Sequence, residues 1–354
     1  MGMGGMPERK KIKKITSEEV ARKAGVSRST VSRVVNGYSN VPEATREKVM
    51  SVIQSMGYYP SFPGQVLAGK GTRTIGFVVV APGGVAGDIQ FSSYCAYVVD
   101  RAAELGYMVL SIFVKDIHDP GDSERIKRIF MEDRVDGGVF IGVDNDEPLI
   151  EELIAAGKIV GLFDHFHPDR SEPNRISVNY ETNTGEKMID YLYSLGHRKI
   201  GIIQGNMDRY SLVCRHESFI RGMTKHHLEL RRDWMYAHYE NMNGGYPEAI
   251  QMVENSRELP TAIAVYNDVA AFGVYQALEE KGLRIPEDIS VIGNDGHEKG
   301  NIVVPHLTTF AFPYQQIFAS LVERVIARIE GQEDVPTTEF FSSTLVERDS
   351  CRRV

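Results

Sequence analysis

The sequence predicts two unlike parts: a small all-α helix-turn-helix module at the N-terminus and, from about residue 73, an α/β domain made of two parallel-sheet subdomains. Three observations lead there. Between residues 16 and 58, apolar residues recur at helical spacing and are interrupted at defined places by Gly, Ser and Pro. From Thr74 onward, short apolar runs alternate with amphipathic stretches. Charge divides along the same line: residues 1–73 hold 13 Lys and Arg against 5 Asp and Glu, and the rest hold 27 against 43. A compact basic segment suits a phosphate backbone through counter-ion release, whereas an acidic remainder is repelled by it.

The chain has 354 residues, 42% hydrophobic and 25% charged, with no apolar run long enough to span a bilayer. Residues 1–14, MGMGGMPERKKIKK, form a basic tail with no apolar stretch behind it, so no secretory signal is expected and the expected location is the cytoplasm. Cys95, Cys214 and Cys351 lie far apart without ligand-type spacing, which predicts reduced thiols and no metal site.

Within the first part, Thr16 and Glu19 make a capping box, Val20, Ala21 and Ala24 face inward, and Gly25 ends the first helix. Gly25-Val26-Ser27 is the turn. Ser27 caps a second helix whose buried face is Val31, Val34 and Val35, leaving Arg28, Ser29, Thr30, Ser32 and Arg33 outside. Pro42 suits the first turn of a third helix with Val49, Val52, Ile53 and Met56 inward and Gly57 as its stop. A helix of this width fits the major groove of B-DNA, and Arg forms two hydrogen bonds with guanine, so Arg28 and Arg33 are the expected readers.

Residues 62–72 have the Pro and Gly content of a linker. Gln65 to Ala68 could form one helical turn only if binding held it. Beyond it, strands are expected at 75–80, 108–113, 137–142, 159–163, 199–204, 262–266 and 289–293. Helical stretches are expected near 92–105, 122–132, 146–156, 181–195, 214–227, 245–254 and 268–281. In such βα repeats ligands bind at the C-terminal ends of strands, which directs attention to Asp88, Gln90 and Phe91, to Asp164 and His165, to Asn267 and Asp268, and to Asn294 and Asp295. No phosphate-binding glycine loop and no GxSxG elbow is present, so no catalytic residue, cofactor or enzyme activity is expected.

The string AGVSxxTVSRVVN with TREKV and GYxP, then LGHRKI at 195–200, the run 260–296, PHLTTF at 305–310 and Leu345-Val346-x-Arg348-x-Ser350 resembles the LacI/GalR family over residues 15–351. The resemblance implies a DNA-binding headpiece at 15–61, a hinge at 62–72 and a periplasmic-binding-protein-like (type I) domain at 73–354. It puts the N-subdomain at about 73–175 and 306–337 and the C-subdomain at about 176–305 and 338–354. It assigns DNA contacts to Thr16, Arg28, Ser29, Thr30, Ser32, Arg33 and Asn36, closes the headpiece with Tyr58 and Pro60, and makes Leu67 a minor-groove wedge. Effector contacts are implied at Phe91, Asp164, Arg215, Asn267, Asp268 and Asp295. Asp88, Gln90, His165 and Tyr239 complete the candidate cleft, Tyr239 lying one residue from the position of the family's stacking aromatic. Asp164-His165 stands where many members have Asp-Arg. The implied protein is a repressor, a homodimer on double-stranded operator DNA, controlled by a small-molecule effector expected to be a carbohydrate. A solute-binding protein and a sugar-processing enzyme with an appended DNA-binding module are the alternatives.

Overall fold

A computed structural model describes residues 15–59, 71–81, 89–205, 207, 209–237 and 244–354. The chain divides into two compact units, Met1–Thr72 and Arg73–Val354. The linker turn with Leu67, and Pro60, Asp88 and Tyr239, lie outside the described residues.

The first unit holds α1 (Ser17–Ala24), α2 (Arg28–Val35) and α3 (Glu43–Met56). The capping box is complete: Glu19 N donates to the Thr16 hydroxyl at 3.3 Å, and Thr16 N donates to the Glu19 carboxylate at 2.9 Å. Gly25, at φ 65°, turns the chain left-handed where a Cβ would be strained, and Ser27 opens α2 by accepting from Thr30 N at 3.1 Å. Pro42 stands at the N-cap of α3, one position before its first turn, and Gly57 ends that helix at φ 61°. Val20, Ala21, Ala24, Val31, Val34, Val41 and Val49 are buried together, with Val35, Ile53, Met56 and Tyr58 packed against them. Helices of eight residues do not persist alone in water, so this small core holds α1 and α2.

The second unit contains two six-stranded sheets. Its strands are β1 (Thr74–Val80), β2 (Met108–Val114), β3 (Gly137–Ile141), β4 (Val160–Phe163), β5 (Arg175–Tyr180), β6 (Ile200–Gln204), β7 (Met235–Ala237), β8 (Ala262–Val265), β9 (Ser290–Asp295), β10 (Thr308–Ala311), β11 (Thr338–Phe341) and β12 (Thr344–Val346). Its helices are α4 (Ile89–Glu104), α5 (Pro120–Met131), α6 (Pro148–Ala155), α7 (Thr184–Ser194), α8 (Tyr210–Lys225), α9 (Tyr246–Asn255), α10 (Asp268–Glu280) and α11 (Tyr314–Ile329). The first sheet runs β11-β5-β4-β3-β1-β2 and the second β12-β10-β9-β8-β6-β7; the pairings are parallel except β10 with β12.

This order corrects the subdomain boundaries. β5 pairs with β4 through Val160 and Arg175, so the first passage between sheets follows Tyr180 and not residue 175. β10 pairs with β9 through Thr308 and Ile292, which moves the second from 306 to beyond Ala311. β11 pairs with β5, so the third falls between Phe341 and Thr344 and not at 337. The passages are tied to one another. The Tyr180 and Tyr314 hydroxyls lie 3.3 Å apart, and Glu181 accepts from Ser343 N at 2.8 Å, from the Ser343 hydroxyl and from Lys187 Nζ at 2.7 Å.

The helix missing from the sequence expectation, α11, buries Ile317, Phe318, Leu321, Val322, Val325 and Ile326 against the first sheet. Gly161 in β4 permits that approach, since a Cβ there would stand 2.5 Å from Val325 Cγ2. Phe318 meets the rings of Tyr94 at 4.5 Å and Phe163 at 4.9 Å. Phe318→Ala removes those contacts and leaves a cavity, and is expected to lower unfolding stability by about 3–5 kcal/mol, read as a lower urea midpoint.

Candidate nucleic-acid interface and ligand cleft

On the first unit, Arg28, Ser29, Ser32 and Arg33 are exposed along one side of α2, and Thr30 and Asn36 are half-buried beside them. Ser27, the α2 cap, pairs with the Ser29 hydroxyl at 2.7 Å and the Thr30 hydroxyl at 2.8 Å, which fixes the polar start of the helix. Asn36 donates to the Ser32 hydroxyl at 3.3 Å. Thr16 is exposed, but its hydroxyl is engaged in the α1 cap. Arg28 Nε donates to Ser17 Oγ at 3.2 Å, so the first residue of α1 holds the base of the guanidinium. Ser17 was not among the sequence candidates. Its signal was its place directly after the cap of the helix that crosses α2.

In the second unit the candidate cleft residues separate into groups. Asp164 and Arg215 come together with Asp295. Asp164 leaves β4 at φ 60°, a left-handed conformation that Asp tolerates better than most residues, and reaches from the first subdomain to α8 of the second. There its carboxylate accepts from Ser211 N at 3.0 Å and from Ser211 Oγ at 2.7 Å. A carboxylate at the first turn of a helix satisfies an otherwise unpaired amide and meets the positive end of the helix dipole. Arg215 is buried, donates to the Tyr266 carbonyl at 2.5 Å, and leaves Nε without a partner among the described residues.

The other candidates are committed elsewhere. Asn267 caps α10 by accepting from Ala270 N at 2.8 Å. Asp268 is fully buried and braces the loop after β9, accepting from His297 N at 2.6 Å and from Thr309 Oγ1 at 2.7 Å. Gly293 makes room for it: a Cβ there would stand 2.1 Å from Asp268 Oδ1. Phe91 meets Tyr94 edge-on at 5.9 Å. His165 is buried behind β4, its ring 5.0 Å from that of His167 and neither nitrogen partnered among the described residues.

A cavity of about 310 Å³ lies beside the second passage and draws on both subdomains. Gln90, Ser93, Tyr94 and Tyr97 of α4 form one wall, Gly296 to Glu298 another, and Phe312 to Gln316 a third. Of the sequence candidates only Gln90 lines it. The missed aromatics, Phe312 and Tyr314, directly follow β10, where the same end-of-strand rule would have found them.

Burial sets the electrostatics of this region. It pushes the Asp268 carboxyl up to about 8, helped by nearby Asp295, and Asp295 itself up to about 7 against the Arg215 guanidinium. Asp164 is raised in the same way, although Ser211, Arg209 and Arg215 oppose it. Burial, aided by His167, pushes His165 down to about 4. Cys95, Cys214 and Cys351 are free thiols. Among the described residues, no group of three His, Cys, Asp or Glu could hold a metal ion, and no helix is long and apolar enough to cross a membrane.

Residues 16–61 match the family model of the bacterial regulatory proteins of the lacI family, and residues 189–351 match that of a periplasmic binding protein-like domain. The HTH-type transcriptional repressor PurR of Vibrio vulnificus (strain CMCP6) is 30% identical over 344 residues, covering 96% of this chain and 99% of its own. The protein of the same name from Vibrio atlanticus (strain LGP32) is 31% identical over 337 residues, covering 95% and 98%. Among solved structures, the lac repressor dimer bound to operator and the anti-inducer ONPF superposes with a TM-score of 0.79 at 27% identity, covering 96% of this chain and all of that one. Fold and relatives together define a DNA-binding transcriptional repressor and not an enzyme. The chain belongs to the LacI family.

The buried neutral histidine gives a pH signature. Its folded pKa lies below the unfolded value of 6.5, so the unfolded chain takes up a proton first as pH falls. Stability from this group is complete above 6.5 and is lost between there and about 4, by about 3 kcal/mol in all. Asp268 and Asp295 act oppositely, because their folded values are raised: their contribution is present at low pH and is lost toward 7–8. The difference between parent and His165→Gln in denaturant unfolding isolates the histidine, and the parent should lose about 3 kcal/mol relative to the variant as pH falls from 7 to 4.

Proposed function

We propose that this repressor binds a two-fold symmetric operator as a homodimer and that a small carbohydrate in the cleft of the larger unit controls its affinity. The cavity between the subdomains carries the effector part of this reading. Aromatic surfaces from Tyr94, Tyr97, Phe312 and Tyr314, with amides from Gln90, Gln315 and Gln316, suit a ring with apolar C–H faces and a hydroxyl edge. Both subdomains touch that space, so a ligand that prefers one subdomain arrangement shifts the population toward it, and the preferred arrangement sets the sign of regulation.

The dimer reading rests on exposed apolar surface. β2 is the edge strand of the first sheet, and Met108 and Phe113 are 59% and 47% exposed; on the other subdomain Ile302 and Val304 are 75% and 87% exposed. Apolar surface of this kind marks an association face. The recognition face is the exposed side of α2, with Arg28 and Ser29 reading bases and Thr16, Thr30, Ser32, Arg33 and Asn36 meeting backbone or base. Leu67 in the linker is the proposed minor-groove wedge.

Operator selected from genomic fragments and followed by fluorescence anisotropy tests the DNA contacts. Arg28→Ala should weaken binding by about 1–3 kcal/mol and relax preference at one base pair of each half-site, with little change in salt slope. In sedimentation, Phe113→Asp should convert dimer to monomer; a parent that sediments as a monomer on its own overturns the dimer. In thermal unfolding, a bound sugar should raise the midpoint by mass action, and Asp268→Ala should abolish that shift by releasing the loop that carries His297.

A further inference from the structure

We infer that Ser17 is a specificity-determining residue that acts through Arg28: its hydroxyl holds the guanidinium by Nε, so that Arg28 meets the operator end-on with its two terminal nitrogens and selects guanine. The inference rests on the reading that Arg28 reads a base, and adds the residue that aims it.

Arginine carries five N–H groups in a planar fork, and either of two edges can bind a base: the end, through both Nη atoms, or the side, through Nε and one Nη. Ser17 Oγ accepts from Arg28 Nε at 3.2 Å, which occupies the side edge. The Arg28 side chain is otherwise exposed, and among the described residues no further hydrogen bond engages its Nη atoms. The end edge remains, and its two donors match O6 and N7 of guanine. Adenine presents an amino donor beside N7 and cannot accept both.

Both ends of this bond stand on fixed backbone. Ser17 is the first residue of α1, directly after the Thr16 cap, whose box with Glu19 closes at 2.9 and 3.3 Å. Arg28 is the first residue of α2, directly after the Ser27 cap, whose hydroxyl meets those of Ser29 at 2.7 Å and Thr30 at 2.8 Å. Val20, Ala21 and Ala24 of α1 share one core with Val31 and Val34 of α2. The packing of the two helices therefore sets the distance between Ser17 and Arg28 before DNA is present. A long side chain oriented in advance gives up less freedom on binding.

The chemistry of the partner matters as much as its position. A serine hydroxyl is neutral, so it orients the guanidinium and leaves its full charge for DNA. Arg46 in the same unit is committed otherwise: it lies 3.5 Å from the Glu43 carboxylate and donates to the Tyr38 carbonyl at 2.8 Å.

The test is a double-mutant cycle on the full chain, read by fluorescence anisotropy on the operator selected from genomic fragments and on duplexes in which each base pair of one half-site is changed in turn. Ser17→Ala, at a helix start where alanine is well tolerated, should leave the urea midpoint unchanged. It should lower the guanine-over-adenine preference at the Arg28 base pair about two- to tenfold, the span that one hydrogen bond covers. Ser17→Thr keeps a hydroxyl and should retain the preference. In the Arg28→Ala background Ser17→Ala should have no further effect. If Arg28→Ala relaxes one base pair and Ser17→Ala leaves that preference intact, Ser17 does not aim Arg28; the inference falls and the base-reading role stands. A Ser17→Ala loss that is uniform over all duplexes, and equal with and without Arg28, assigns Ser17 a contact of its own with DNA and overturns the inference too. An Arg28→Ala protein that keeps its preference at every position overturns the base-reading role itself, and this inference with it.

Discussion

Three passages of the chain between two sheets govern what the larger unit can do. Each sheet is completed by strands from distant parts of the sequence: β11 joins the first and β12 the second only a few residues apart. The subdomains therefore cannot separate, and their relative movement is confined to rotation about the passages. The bonds that link those passages, Glu181 with Ser343 and Tyr180 with Tyr314, lie at the passages themselves, where such a rotation displaces atoms least. The cavity opens beside the second passage, so a ligand there acts close to the axis.

Around this axis the protein buries more ionisable groups than a core would tolerate without partners. Asp268 is held by a backbone amide and a threonine hydroxyl, Asp164 by an amide and a serine hydroxyl, and Arg215 by a carbonyl. Removing one partner from such a group leaves a desolvated polar group unsatisfied, which costs more than the bond itself contributed. Asp164 differs from Asp268 in that its partners belong to the opposite subdomain, so its bonds exist only while the cleft is closed at that edge.

The headpiece was legible almost completely, because its helices are set by local rules: Thr16 and Ser27 are caps, Gly25 and Gly57 are left-handed stops, and the valines follow a helical period. The α/β class was legible from alternating apolar runs. β5, β10 and β11 were not. RISVNY, TTFA and TEFF are short and mixed in polarity, and only pairing with neighbours supplied by other segments makes them strands. The subdomain boundaries slipped for that reason. Helix α11 carried a clear amphipathic pattern in Ile317, Leu321, Val325 and their neighbours. In the cleft, residue type suggested a role for Asn267, Asp268 and His165, but their partners were invisible in one dimension. Whether a carboxylate faces a ligand or a backbone amide depends on the loop opposite it, and for Asp268 that loop is almost thirty residues away.

The discontinuity of the first sheet also bears on how the protein is made. By Tyr180 a ribosome has delivered β1 to β5, yet the face of that sheet formed by Phe77, Val79, Val139 and Val178 waits for α11, which begins at Tyr314. Throughout synthesis of the second subdomain the nascent chain displays an apolar surface only partly covered by Tyr94, Val98 and Ala102 of α4, of the kind that associates with other unfinished chains. Burial of the N-subdomain core is therefore among the last events of biogenesis, although its strands are among the first to emerge, and a C-terminal truncation before Ile329 would harm the N-terminal half of the domain most.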